Sequence, residues 1–347
     1  MSYCFHPTCP GPENADIKKV CGACGTGLLL KARYKANSLI SNGTFVRSFS
    51  GVDLQHNKPV FIKQIHLPVE ILRNRQKRQI INSLFSEAAF KLHELADIEG
   101  IHTPLDYSAA SNGLYLIEEV VVGQTLEQII KTQGQLSEKQ IRELLLNLLP
   151  ALQELHQKAL LHRDIKPENI VYSQDSGKFI FINLGLPQMV AEYLQKDVPS
   201  IGEYLLGDPS YSAPDQVQGK ASCTSDLYSL GVVCLEAATG ISPIDLMNIQ
   251  GTGWEYQSYL ESNPITQQLQ QVIEQLACSS ILDRYTHASE AFTDLAKDNK
   301  IFSVDFLKQV SAVTAATAAT PFTLLQSGAE LLSDTIAKFP SKKKRWF

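Results

Sequence analysis

His162-Arg163-Asp164-Ile165-Lys166-Pro167-Glu168-Asn169 is the stretch whose reading decides the fold. It sets a carboxylate, an ammonium and a carboxamide within one short loop. Asp164 can accept a proton from an attacking hydroxyl, Lys166 can neutralise charge on a group in transfer, and Asn169 can offer a carbonyl oxygen to a metal. These are the positioning and electrostatic roles that phosphoryl transfer needs. A lone Arg-Asp pair would carry no such meaning; the unbroken run does.

On the N-terminal side of this loop the pattern suggests strands. Val46–Val52 partly alternates, Gln55-His56-Asn57-Lys58-Pro59 is turn-like, and Val60–Ile65 and Leu114–Val120 read as further strands. Residues 75–96 read as a helix with Ile80, Leu84, Ala88 and Leu92 on one stripe. Beyond Gly123 the chain turns mostly helical. Residues 137–157 give the clearest helix, with Ser137 and Gln140 placed as a capping box. Strands, then helices, joined at one hinge, predict an α+β protein of two lobes.

Composition fits that reading. Among 347 residues, 44% are apolar and 19% charged, a globular composition rather than a disordered one. A net charge of −5 gives no reason to expect nucleic-acid binding. No apolar stretch approaches the roughly 20 residues that span a bilayer. Met1–His6 lacks a basic segment followed by an apolar one, so a reducing cytoplasmic setting is the expectation.

Four of the seven cysteines crowd the first 24 residues. Cys21-Gly22-Ala23-Cys24-Gly25 has the spacing of a zinc knuckle, and Cys4 and Cys9 supply a second pair. Four thiolates would make a closed tetrahedral Zn2+ site, in which His6 could replace one cysteine. Free thiols and a redox disulfide are the alternatives. The segment 1–29 has too few large apolar residues to fold alone. Cys223, Cys234 and Cys278 lie among apolar or small neighbours and read as buried hydrophobes.

Over residues 34–298 the chain resembles the eukaryotic-like serine/threonine protein kinases of bacteria, and with its cysteine head it looks like the four-cysteine kinases of cyanobacteria. The resemblance implies the two-lobed protein kinase fold with a small zinc-ribbon-like head. It divides the chain into a head (1–29), an N-lobe (34–122), a C-lobe (123–298) and a linker with a terminal segment (299–347). It also implies transfer of the ATP γ-phosphate to protein hydroxyls with Mg2+ or Mn2+, and a protein substrate or signalling partner. Asp164, Lys166 and Asn169 would be catalytic. Lys63 matches the strand lysine that pairs with the α- and β-phosphates, and Glu87 the helix glutamate that holds it, with Glu94 as the alternative. Gly43 belongs to the phosphate loop, and Glu118-Glu119-Val120 to the hinge that meets adenine, with Glu118 an unusual acidic gatekeeper. Asp215, in Gly207–Asp215, would pair with Arg284, and Asp226 would brace the catalytic loop backbone.

Three departures matter. Asn183-Leu184-Gly185 stands where Asp-Phe-Gly belongs, so Asn169 and Asn183 make a weak magnesium site without the usual charge. Ile40–Val46 keeps only the middle glycine, Gly43, with Ser41 and Val46 in the outer places. Asp208 replaces a threonine and could pair with Lys166 or repel Asp164. Two readings follow: a serine/threonine kinase of weakened activity, or a pseudokinase that serves as a nucleotide-binding or scaffold module.

Ser200 and Tyr204 are candidate phosphorylation sites with Arg163 as partner. Residues 312–320 are low in complexity. Phe322, Leu325, Ala329, Leu332, Ile336 and Phe339 then form an apolar helical seam, and the chain ends Lys342-Lys343-Lys344-Arg345-Trp346-Phe347. This tail reads either as a helix packed on the C-lobe with a solvated charge run, or as a weak contact for an anionic membrane surface.

Overall fold

The structure, a computed structural model, describes residues 1–16, 18–110, 112–195, 208–248 and 253–297. The low-complexity stretch, the seam, the basic tail, Ser200 and Tyr204 lie outside the described residues.

The N-lobe is an antiparallel sheet of order β3-β4-β5-β6-β8-β7, built from β3 (Leu29–Leu30), β4 (Tyr34–Asn42), β5 (Val46–Asp53), β6 (Lys58–Ile65), β7 (Asp106–Ala110) and β8 (Gly113–Glu119). The strands expected at 46–52, 60–65 and 114–120 are β5, β6 and β8. Alternation sorts their side chains between two faces. Val60, Ile62, Tyr115 and Ile117 join one apolar cluster on the outer face, whereas Ile65, Leu114 and Leu116 join the main core. Lys63 and Glu118 share the inner face with this second set, since Lys63 lies opposite Leu116 and Phe61 opposite Glu118.

Two helices follow β6: α1 (Val69–Arg73) and α2 (Arg75–His93). Asn74 caps α2 by accepting from the Lys77 amide at 3.0 Å. The buried stripe of α2 is Ile81, Phe85, Ala88, Ala89 and Leu92. The sequence-based stripe through Ile80 and Leu84 was turned by one residue at its start; both are only half-buried.

The hinge leads into a second sheet, not back into the first. Strand β9 (Gly123–Thr125) pairs with β10 (Ile170–Ser173), which pairs with β11 (Lys178–Phe181). Between them run α3 (Leu126–Gln133) and α4 (Glu138–Gln157). Helix α4 opens on the expected capping box of Ser137 and Gln140. The loop His162–Asn169 lies between α4 and β10, and Asn183-Leu184-Gly185 follows β11. Helices α5 (Leu186–Leu194), α6 (Pro214–Val217), α7 (Cys223–Thr239), α8 (Pro243–Leu246), α9 (Gln267–Leu276) and α10 (Ala288–Ala296) complete the C-lobe. Helix α7 is buried almost all round, with α4, α6, α8 and α9 against it.

The head is a two-stranded ribbon, β1 (Ser2–Tyr3) with β2 (Glu13–Asn14), seated on the outer face of the N-lobe sheet. Phe5 enters the outer apolar cluster, edge-on to Phe49 and Tyr115 with ring centroids 5.3 and 5.4 Å away. The head borrows the core it lacks.

Candidate functional site

Asp226, near the start of α7, organises the loop His162–Asn169. Its carboxylate accepts from the backbone amides of His162 and Arg163, each at 2.8 Å, and from His156 Nε2 at 2.9 Å. Burial alone would raise this carboxyl, but these donors outweigh it and hold the group below its ordinary value. Burial likewise pushes His156 down, but Asp226 overrides it and lifts the imidazole to about 10, so the pair is ionic at neutral pH. The loop bends at Arg163, which takes a left-handed φ of 63°. It is closely approached by Gly185, where a Cβ would stand 2.4 Å from the His162 carbonyl oxygen.

The three expected polar groups of the loop meet, and Asn183 joins them from beyond β11. Asn169 Nδ2 donates to the Asp164 carbonyl and to Asp164 Oδ2, both at 2.8 Å. Lys166 Nζ lies 3.9 Å from Asp164 Oδ1. Asn183, at a φ of 61° that asparagine tolerates, donates through Nδ2 to Asn169 Oδ1 at 2.7 Å. Asn183, Asn169 and Asp164 thus form one hydrogen-bonded chain. Asp208 does not join it; its carboxylate turns to the Ser210 amide at 3.0 Å. Asp215 and Arg284 form the expected buried ion pair at 2.8 Å.

In the N-lobe the expected partnership fails. Lys63 Nζ bonds both oxygens of Glu118 at 2.8 Å, not Glu87. Glu87 points outward along α2 to Lys91 at 3.0 Å, and Glu94 pairs with Lys158 at 3.4 Å. Both glutamates are exposed, Glu87 on the solvent side of α2 and Glu94 just past its end, and neither reaches Lys63. At the hinge, the Glu119 side chain lies 3.6 Å from Lys58, while its backbone carbonyl meets His102 Nε2 at 3.0 Å. Gly43 tightens the β4–β5 hairpin: its amide donates to the Val46 carbonyl at 3.0 Å, where a Cβ would stand 2.7 Å from that oxygen. Phe45, from the same loop, folds into the main core.

The head brings Cys4, Cys9, Cys21 and Cys24 together, with all four sulfurs within 4.8 Å of one another. Cys4 and Cys24 are 3.5 Å apart, as are Cys9 and Cys21. Sulfurs around tetrahedral zinc sit about 3.8 Å apart, from Zn–S bonds of about 2.3 Å. The donor set therefore fits a four-thiolate ion. Burial pushes the Cys21 thiol up, but amides of Ala23 and Cys24 and the Asn14 side chain lower it to about 6. Cys24 is lowered by Thr26, whereas burial raises Cys4 and Cys9. His6 turns to Thr8 Oγ1 at 3.5 Å, and the clustered ligand set is made of the four cysteines.

This geometry agrees with what the chain is similar to. The protein kinase domain family model matches residues 34–303. The chain belongs to the protein kinase family. Serine/threonine-protein kinase B of Synechocystis sp. is 27% identical over 302 residues, covering 85% of this chain and 52% of that protein. Serine/threonine-protein kinase PknA of Nostoc sp. is 33% identical over 222 residues, covering 63% of this chain and 39% of that protein. The chain thus spans about half or less of these curated relatives, which mark it as a eukaryotic-like bacterial kinase. The kinase domain of Mycobacterium tuberculosis PknI superposes with a TM-score of 0.56 at 17% identity, over 77% of this chain and 97% of that one, and shows the fold.

Three residues of this kinase domain escaped the sequence reading. His156 faces Asp226 from 70 positions away, on the buried side of α4. His102 reaches the hinge from the loop before β7. Glu192, on α5, takes the guanidinium of Arg163 that was expected to await a phosphorylated residue. No local motif marks any of them; each is defined only by what folding brings opposite.

Proposed function

We propose that the chain binds ATP between its lobes and transfers the γ-phosphate to serine or threonine hydroxyls of a protein substrate, at a weakened rate. The observation that carries this reading is the braced loop: Asp164, Lys166 and Asn169 are in mutual contact on a backbone fixed by Asp226. Asp164 would take the hydroxyl proton as it attacks, and Lys166 would offset charge on the phosphoryl group. Lys63 would meet the α- and β-phosphates, with adenine along Glu118–Val120 and the phosphates beneath Gly43.

The amides of Asn169 and Asn183 are a poor fit for magnesium on their own. They carry no charge, and Asn169 Oδ1 already accepts from Asn183. An ion of this kind would stabilise charge on the phosphates and would have to arrive on them. The same hydrogen bond favours a second reading, a pseudokinase acting as a nucleotide-binding or scaffold module, because it occupies the Asn169 oxygen that a metal would need. Labelled ATP with magnesium or manganese separates the two. The kinase reading expects slow transfer that Asp164→Ala abolishes and Asn183→Asp raises by about tenfold or more, equal to about 1.4 kcal/mol of barrier. No transfer by the unaltered chain would leave the pseudokinase reading.

The head is proposed as a structural zinc site of a cytoplasmic protein, supported by the four clustered free thiols. Elemental analysis should find stoichiometric zinc, lost in Cys21→Ser.

A further inference from the structure

Lys63 and Glu118 lie on adjacent, hydrogen-bonded strands and face the cleft. With Lys63 opposite Leu116 and Phe61 opposite Glu118, the two are diagonal neighbours, a separation that long side chains bridge. Both are under a tenth exposed, and Nζ is equidistant, 2.8 Å, from the two carboxylate oxygens. The helix carboxylates are engaged elsewhere: Glu87 is 45% exposed beside Lys91. Helix α5 packs against α2, and α2 turns its apolar stripe, not a glutamate, toward the core.

We propose that Glu118 is the positioning residue for Lys63, doing from within the sheet what the family resemblance assigns to Glu87 on α2. The placement of the lysine is then set by strand register and is independent of where α2 stands. This rests on the nucleotide-binding reading above. Its physical basis is that a buried ammonium needs an opposite charge beside it to offset its lost hydration, and Glu118 is the carboxylate in contact. Deprived of Glu118, the Lys63 ammonium loses both hydrogen-bond acceptors that fix it toward the cleft. Among the described residues His102 also faces the pair; burial keeps it below its ordinary value, so it does not compete for Glu118.

Two readouts test this on the full chain: affinity for a fluorescent ATP analogue, and the rate at which an acylating ester modifies Lys63, followed by mass spectrometry. In Glu118→Gln, Lys63 loses its partner, so it should be acylated about tenfold faster and the analogue should bind about tenfold more weakly. Glu87→Gln should leave both unchanged. Faster acylation and weaker binding in Glu87→Gln, or no change in Glu118→Gln, overturns the proposal. Should the unaltered chain bind no nucleotide, the function proposed above fails, while the acylation rates still decide this inference. Should Glu118→Gln not fold, the exposed Glu87→Gln variant decides alone: acceleration refutes, constancy supports.

Discussion

Asp226 shows how one buried carboxylate fixes a loop that has little packing of its own. Two backbone amides and the His156 ring converge on it, so its removal would leave three donors, two of them buried, without an acceptor. Asp226→Ala should cost about 3–5 kcal/mol in chemical denaturation, the range for breaking a buried ion pair. The pair also sets a pH signature. His156 is raised above its unfolded value of about 6.5, so its contribution is complete below that value and is lost as pH climbs toward about 10. Asp226 is lowered, so its contribution is complete above its unfolded value near 3.8 and is lost only on acidification. Melting temperature should therefore fall between about pH 7 and pH 10, and His156→Gln should flatten that fall. A slope unchanged in the variant would place the alkaline loss elsewhere. Asp226 was legible because it sits in a local run, Asp226–Gly231. His156 was not, because on α4 it is one more residue of a buried stripe until α7 is laid beside it.

At the scale of elements, legibility followed contrast between faces. Helix α4 could be read because its cap and its apolar face are both local signals. Ser137 Oγ accepts from the Gln140 amide and Gln140 Oε1 takes the Ser137 amide at 3.0 Å. Ser137→Ala should cost about 1 kcal/mol, measured by thermal or urea melts, whereas a comparable change on the exposed face of α4 should be neutral. Helix α7 offers the opposite case. Nearly every residue from Ser225 to Thr239 is buried, so it shows no amphipathic period and only its aspartate motif located it. Helix α2 lies between: its extent was clear, but the rotation of its face was not, since Ile80-Ile81 and Leu84-Phe85 give two adjacent apolar stripes. That one-residue ambiguity bears on the site. The same helix rotation decides whether Glu87 faces the cleft or Lys91, and only packing against α5 and β7 settles it.

At the scale of the whole molecule, the head and the Lys63–Glu118 pair lie on opposite faces of one sheet, joined through β6. Gln64 turns outward, donating to the Phe5 carbonyl at 2.9 Å and Tyr115 Oη at 2.7 Å, while its neighbour Lys63 turns inward to Glu118. Arg47, almost wholly buried, also reaches the Phe5 carbonyl, at 3.4 Å. Phe5 directly follows Cys4, so whatever holds the four sulfurs together holds this wedge in the sheet. A metal bound there would be linked to folding of the N-lobe, since binding to the folded state alone adds to its stability. Phe5→Ala should cost about 3–5 kcal/mol, as for other buried aromatics, which for a chain of this size is about 1–2 °C per kcal/mol. Stripping metal with a strong chelator should lower the melting temperature of the unaltered chain and increase binding of a dye for exposed apolar surface. The same treatment of Phe5→Ala should lower it much less, because the wedge is already gone. Equal shifts in the two proteins would mean that the cysteine cluster and the N-lobe fold independently, and that the head is a separate module resting on the sheet.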